Sequence, residues 1–156
     1  MAIEKVIAFF EERGAAEKIR RFTVSSATVE LAAEALGVEG ARIAKTMSFL
    51  AEDRAILVVT AGDMKIDNPK FKAQFHTKAK MIPPERLNEL VGHEMGGVCP
   101  FAVKEGCEVY LDVSLRRFDT VYPAAGDAAS AVELTVPELE QYSGSRGWVD
   151  VCKARE

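Results

Sequence analysis

The stretch GHEMGGVCPFAV, residues 92–103, gathers several groups able to do chemistry: His93, the glycine pair Gly96 and Gly97, Cys99 and Pro100. A cysteine nucleophile needs a base, usually histidine, and surroundings that lower its pKa. Cys99 has His93 close by in sequence, but the spacing matches no Cys–His enzyme pattern, and a lone cysteine commonly serves as a small core residue. The glycines offer a different chemistry. They let the backbone take conformations closed to other residues and let a ligand approach the main chain, while Pro100 stiffens the far end. Such a loop can turn its N–H groups toward a carbonyl oxygen or an oxyanion. The plainer alternative is a tight turn between a helix and a strand.

Lys45 is the second candidate. It sits in ARIAKTMSFL, residues 41–50, a run of strand character. If Ile43 and Met47 face the core, Lys45 points inward with them, because side chains alternate along a strand. An inward lysine is expensive unless it is paired or lines a cleft. It can snorkel, or it can stabilise negative charge that develops in a cleft. A third feature is KIDNPKFKAQFHTKAK, residues 65–80, where Lys65, Lys70, Lys72, Lys78 and Lys80 face only Asp67. This is either a solvated lysine face or a phosphate-contacting surface. His76 and His93 have unrelated spacing and do not assemble a metal site. No phosphate-cradling glycine motif and no nucleophile-elbow serine occurs.

The whole chain must position these groups. It has 156 residues and a net charge of −4, with 48% hydrophobic and 28% charged residues. That fits one globular domain over 1–156, large enough to bury a core without disulfides or metals. The negative balance argues against generic nucleic-acid coating but not against a local basic patch. Three cysteines without a CxxC pair point to a reducing compartment. No apolar run reaches the roughly 20 residues of a membrane helix. The first residues, MAIEKVIAFFEERG, read as an amphipathic helix rather than a signal peptide, so a cytoplasmic location is expected.

Helical spacing predicts a helix over 2–13 ended by Gly14, and a second within SSATVELAAEALGV. Ser25 or Ser26 could cap the second, with Glu30 in a capping box. RRFTVSS reads as extended or loop. Runs 43–50 and 55–61, separated by AEDR, read as a hairpin. The unbroken Ile-Leu-Val-Val at 56–59 suggests a central strand covered on both faces. DNPKFKAQF starts a helix at Asp67 or Asn68 with Pro69 in first position. AKMI is a short strand, PPERLNELVG a helix, EVYLDVS and DTVYPAAG extended pieces. SAVELTVPELEQYSG reads as a strand and then a helix opened by Thr135 and Pro137, and WVDVCK as a closing strand. Helices and strands mix without regular βαβ order, which gives an α+β class with an antiparallel or mixed sheet.

Taken together, TVELAAEALGVEGARIAKTMSF, ILVVTAGDMKID, GGVCPFAV, VYLDVSLRRFDTVYPAAG and AVELTVPEL resemble the YbaK/ProX family of aminoacyl-tRNA deacylases. This family includes the editing insertion domain of bacterial prolyl-tRNA synthetases. The resemblance spans roughly 22–142. It implies a mixed, partly barrel-like sheet flanked by helices, and hydrolysis of the ester between a wrong, small amino acid and the tRNA 3′ adenosine, with tRNA-Pro one carrier. Lys45 matches the family's functional lysine, and Gly96–Pro100 its GxxxP loop. The substrate-binding set becomes Gly96, Gly97, Val98, Cys99, Pro100, Phe22, Thr46, Met47, Asp127 and Ser130. Lysines 65, 70, 72, 78 and 80, or Arg116 and Arg117, would contact tRNA, and a synthetase is a possible partner. No metal or cofactor is implied, and no membrane.

Two positions depart from the family, and one role is left between two residues. Ala102 stands where relatives often have glycine, and Phe22 where some have tyrosine. The late polar role could fall on Asp127 or on Ser130. Two other readings stay open. One is a binding module that uses the same pocket without turnover. The other is a cysteine-dependent enzyme built on Cys99.

Overall fold

The computed structural model describes residues 2–52 and 54–155; Asp53, within the sequence AEDR, lies outside them. The chain begins with α1 (Ala2–Glu11), then β1 (Ile19–Arg21), α2 (Val29–Leu36), and the hairpin of β2 (Ile43–Ala51) and β3 (Arg54–Ala61). Next come β4 (Met64–Ile66), α3 (Asn68–Phe75) and α4 (Pro84–Leu90). The second half holds β5 (Glu108–Asp112), β6 (Thr120–Pro123), β7 (Ser130–Val132), β8 (Leu134–Thr135), α5 (Val136–Ser143), β9 (Trp148–Val149) and β10 (Cys152–Ala154). None of the described helices is long and apolar enough to cross a membrane.

Six strands form a mixed sheet in the order β8-β6-β2-β3-β5-β9, curled as a half-barrel. β2 and β3 are antiparallel, whereas β3 pairs parallel with β5, and β2 with β6. Two small antiparallel pairs, β1 with β7 and β4 with β10, complete the strands. The expected α+β class with a mixed, partly barrel-like sheet is what forms. β3 shows why its apolar run is unbroken. Leu57, Val59 and Ala61 enter one core cluster with Phe10, Phe101 and Leu111. Ile56 and Val58 enter a second, with Phe49, Phe71 and Phe75. Both faces of β3 are therefore buried, and alternation delivers an apolar side chain to each.

Several local expectations change. α2 is capped by Thr28, whose hydroxyl accepts from the Leu31 N–H at 3.2 Å, not by Ser25 or Ser26. Glu30 makes no capping box; the box forms at α5, between Thr135 and Glu138. Ser26 is occupied elsewhere, bonded to Ser130. AKMI shrinks to one bridge, Phe49 with Met81. WVDVCK is broken, because the buried Asp112 accepts from the Val151 N–H at 2.9 Å and turns the chain between β9 and β10. The helix start at Asp67 holds: its carboxylate accepts from the Lys70 N–H at 3.1 Å.

Candidate active site

A cleft of about 470 Å³ opens beside β2. Its lining includes Ser26, Thr28, Lys45, Thr46, Gly96, Val98 and Ser130, with alanines, Met81, Met95 and Tyr122 between them. The volume suits a small ligand of amino-acid or nucleoside size.

One wall is an incomplete sheet edge. β2 pairs with β3 from Ala44 to Ala51. On its other edge, Ile43 and Ala44 meet Tyr122 and Pro123 of β6. Further on, the Ser48 carbonyl accepts from the Ile82 N–H at 3.1 Å, and the Leu50 N–H donates to the Lys80 carbonyl at 2.8 Å. Backbone groups alternate between the two edges of a strand, so those of Ala44, Thr46, Ser48 and Leu50 all point away from β3. Pro123 has no N–H to give, so its pairing with Ala44 runs through Ala44's own N–H and C=O, which fits the same alternation. Thr46 lies between the two paired stretches. Among the described residues, its main chain has no partner on this edge, and its buried Oγ1 has none either.

The opposing wall is the glycine loop. Gly96 takes φ +91 and lines the cleft, close to Ala27 and Ala128. Gly97 does a different job. A Cβ there would lie 2.6 Å from the backbone of Gly126 and Asp127, so only glycine lets the two loops touch. Gly97 also donates its N–H to the Glu94 carbonyl at 3.0 Å. Pro100 is buried and leads into Phe101, whose ring packs at 4.9 Å from Phe10 of α1 and anchors the loop. Ala102 follows at φ +52, a left-handed conformation in which a glycine would be unstrained.

Asp127 and Ser130 work as a unit. The Ser130 hydroxyl donates to Asp127 Oδ1 at 2.7 Å, and the Ala129 N–H donates to the same oxygen at 3.0 Å. Ser130 lines the cleft and Asp127 stands behind it. With its proton given to Asp127, the Ser130 oxygen offers lone pairs to a ligand. Ser26 fixes the segment: its Oγ accepts from the Ser130 N–H at 3.1 Å.

Lys45 lies at the cleft, half-buried, on the β2 face of Met47 and Phe49, and its Nζ donates to the Met64 carbonyl of β4. Burial lowers its pKa from the ordinary lysine value, and the charge of Arg155 adds to this, while Asp63 and Glu30 act in the opposite sense. The inward lysine is thus both paired and cleft-lining. Met47, on the same β2 face as Lys45, packs against the second core cluster and does not line the cleft. Phe22 is tied to Ala129 through its backbone at 2.8 Å and does not line the cleft.

Cys99 is fully buried beneath the loop, outside the cleft lining. His93 does meet it, with Nε2 3.5 Å from Sγ, but Nε2 also lies 2.8 Å from the Phe101 carbonyl, to which it donates. Burial pushes the Cys99 thiol up to about 12 and holds the His93 pKa below its usual value. A neutral thiol beside a neutral imidazole, with no access, is not an activated nucleophile.

The lysines of 65–80 are all exposed. Lys70 is engaged by Asp150 at 3.2 Å, and Lys80 flanks Met81 at the cleft mouth. Arg117 is held by Asp63 at 2.6 Å, and Arg116 lies over the Trp148 ring at 4.2 Å. Lining residues that sequence reasoning did not assign to the cleft include Ser26, Thr28, Met81, Met95 and Tyr122. Only Met95 carried a signal, its place directly before Gly96.

A family model for the aminoacyl-tRNA editing domain matches residues 23–142. The uncharacterized protein YwhH of Bacillus subtilis is 51% identical over 154 residues, covering 98% of both chains. EbsC of Enterococcus faecalis, named as a candidate Cys-tRNA(Pro)/Cys-tRNA(Cys) deacylase, is 28% identical over 109 residues, 69% of this chain and 66% of its own. Proline–tRNA ligase of B. subtilis is 30% identical over 75% of this chain, which corresponds to only 21% of the ligase. A crystal structure of a candidate trans-editing enzyme for prolyl tRNA synthetase superimposes with a TM-score of 0.88, at 27% identity and 98% coverage of both chains. The matched segment carries both walls of the cleft, and the chain belongs to the aminoacyl-tRNA editing domain family.

Proposed function

We propose that the protein is a free-standing aminoacyl-tRNA deacylase, hydrolysing the ester between a small, wrongly attached amino acid and the tRNA 3′ end. The observation that carries this reading is the pair of backbone walls, the open β2 edge at Thr46 and the Gly96–Val98 loop, facing one another across a cleft of about 470 Å³. Backbone N–H groups in a cleft of low polarity stabilise charge that develops on an ester oxygen and cost no reorganisation. Neither histidine and no cysteine lines the cleft; in this reading the attacking group is water or a group of the substrate, and the cleft hydroxyls position it. With water, its oxygen bonds to the acyl carbon, the bond to the ribose oxygen breaks, and a water proton ends on that oxygen.

Lys45 supplies positive charge at the end of the cleft, and the Ser130–Asp127 unit supplies an oriented acceptor. The lysines 65, 70, 72, 78 and 80 contact the phosphates of the acceptor end, Lys80 nearest the cleft. The tRNA substrate places the protein in the cytoplasm, and a synthetase is the natural partner for delivering tRNA. The names of the relatives, which concern Cys-tRNA(Pro) and prolyl tRNA synthetase, make tRNA-Pro the first carrier to test.

The test is release of amino acid from tRNAs charged with alanine, serine, threonine, cysteine and proline. Selective release that drops about a hundredfold in a folded Lys45→Ala protein is expected, the scale of losing one charge-stabilising group. Near-normal turnover in that variant would reject the role of Lys45. Release from no charged tRNA would reject the deacylase reading and favour a binding module.

A further inference from the structure

The open edge at Thr46 has the form of a missing strand residue. On the same edge Ala44 is paired with β6, and Ser48 and Leu50 with residues 80–82. From Ala44 to Ser48 the strand advances about 13 Å at roughly 3.3 Å per residue. In that interval one residue, Thr46, presents an N–H, a C=O and a buried hydroxyl without partners among the described residues. Buried polar groups without partners are rare and costly in native proteins. The protein does not close the gap itself. β6 stops at Pro123, and the chain turns away through Gly126 at φ +104.

Resting on the deacylase reading, we propose that the aminoacyl group of the substrate fills this gap as a one-residue strand. In an antiparallel hydrogen-bonded pair, two residues exchange both of their bonds. An α-aminoacyl ester carries the two complementary groups. Its ammonium donates to the Thr46 carbonyl, and its ester carbonyl oxygen accepts from the Thr46 N–H. That pairing demands an α-substituent able to donate a hydrogen bond, and an ammonium is the strongest such donor. The substrate class is an α-aminoacyl ester. A des-amino acyl group fits the cleft by size but leaves the Thr46 carbonyl without a donor.

The experiment compares the charged tRNA that is released fastest with the same tRNA carrying the des-amino acyl group, which has hydrogen in place of the α-ammonium. A loss in kcat/KM of at least about a hundredfold is expected, since a site built to bond a polar group discriminates strongly against an analogue that lacks it. Equal rates for the two would overturn the proposal and leave the deacylase reading intact. Thr46→Val keeps the main-chain N–H and C=O, so the ratio between the two substrates should stay within about threefold of the parent's; a ratio that collapsed to one would put recognition on the hydroxyl and overturn the main-chain pairing. A turnover-independent arm titrates isotope-labelled protein with an aminoacyl-adenosine analogue linked by an amide. A downfield shift of the Thr46 amide proton supports the pairing. An unmoved Thr46 resonance at saturating analogue overturns it, whatever the deacylation panel shows.

Discussion

Two side-chain pairs flank the cleft, and each sets a nucleophile-type group beside a titratable partner. Cys99 lies 3.5 Å from His93, and Ser130 lies 2.7 Å from Asp127. The Cys99 pair is wholly buried under the glycine loop, with its thiol raised and its imidazole kept neutral by desolvation. The Ser130 pair opens on the cleft and is fixed by Ser26 and by the backbone of residue 129. The residue types alone would favour the first pair as the chemical centre. Burial rules that pair out, because an ionised nucleophile in an apolar interior is penalised and cannot meet substrate; the cleft-facing pair is left as an oriented acceptor. The two loops touch at Gly97, so the pairs share a mechanical support.

The strongest disturbance of this arrangement is Gly97→Ala. Its Cβ meets backbone at 2.6 Å, which no rotamer relieves, so the 96–100 and 126–130 loops must separate. A loss of about 3 kcal/mol in denaturant unfolding is expected, together with loss of turnover. A variant as stable and active as the parent would show that the loops are not held by that contact. Ser130→Ala removes the bond to Asp127 and the acceptor facing the cleft. About a tenfold drop in kcat/KM and 1 kcal/mol of stability are expected; unchanged kinetics would erase the contrast between the two pairs.

Cys99→Ser should leave turnover within about twofold. With the thiol pushed up to about 12, only about one molecule in 10⁵ is thiolate at neutral pH. The rate should accordingly show no thiolate inflection between about pH 6 and 9, and one that vanished in Cys99→Ser would restore the cysteine as nucleophile. His93 gives the pH signature of the buried pair. Its folded pKa lies below the usual 6.5, so the unfolded chain binds the proton more readily, and stability declines as pH falls below that value. His93→Gln should flatten this slope in urea titrations; an unchanged slope would assign it to other groups. The smallest effect is a gain. Ala102→Gly should stabilise by about 1 kcal/mol, because Ala102 holds a left-handed backbone at φ +52. A melting temperature that stays put or falls would show that the strain is compensated nearby.

Much of the frame follows from local chemistry. The hairpin of β2 and β3, the doubly buried run Ile56–Val59, and the helix start at Asp67 and Pro69 depend on neighbours in sequence, and they form as the patterns direct. The helix-cap assignment at Ser25 or Ser26 failed for a physical reason. Three hydroxyls compete there, and the one that caps is decided by Ser26 being drawn to Ser130, more than a hundred residues away. WVDVCK split because the buried Asp112 bonds the Val151 N–H, another long-range contact. The choice between Asp127 and Ser130 had no answer in sequence because the two are joined by one hydrogen bond.

The sequence by itself determined the class of fold, the pairing of the central hairpin, and the candidates Lys45, Thr46 and the Gly96–Pro100 loop. Those depend on periodicity, turn chemistry and backbone freedom, which are local properties. Tertiary structure alone decided which candidates share a cleft. It sent Cys99 inward and left Gly96 on the surface of the pocket, one residue apart from the packing glycine. It also left Thr46 without an edge partner, since strand pairing is set where distant segments stop, and no reading of nearby residues locates that point.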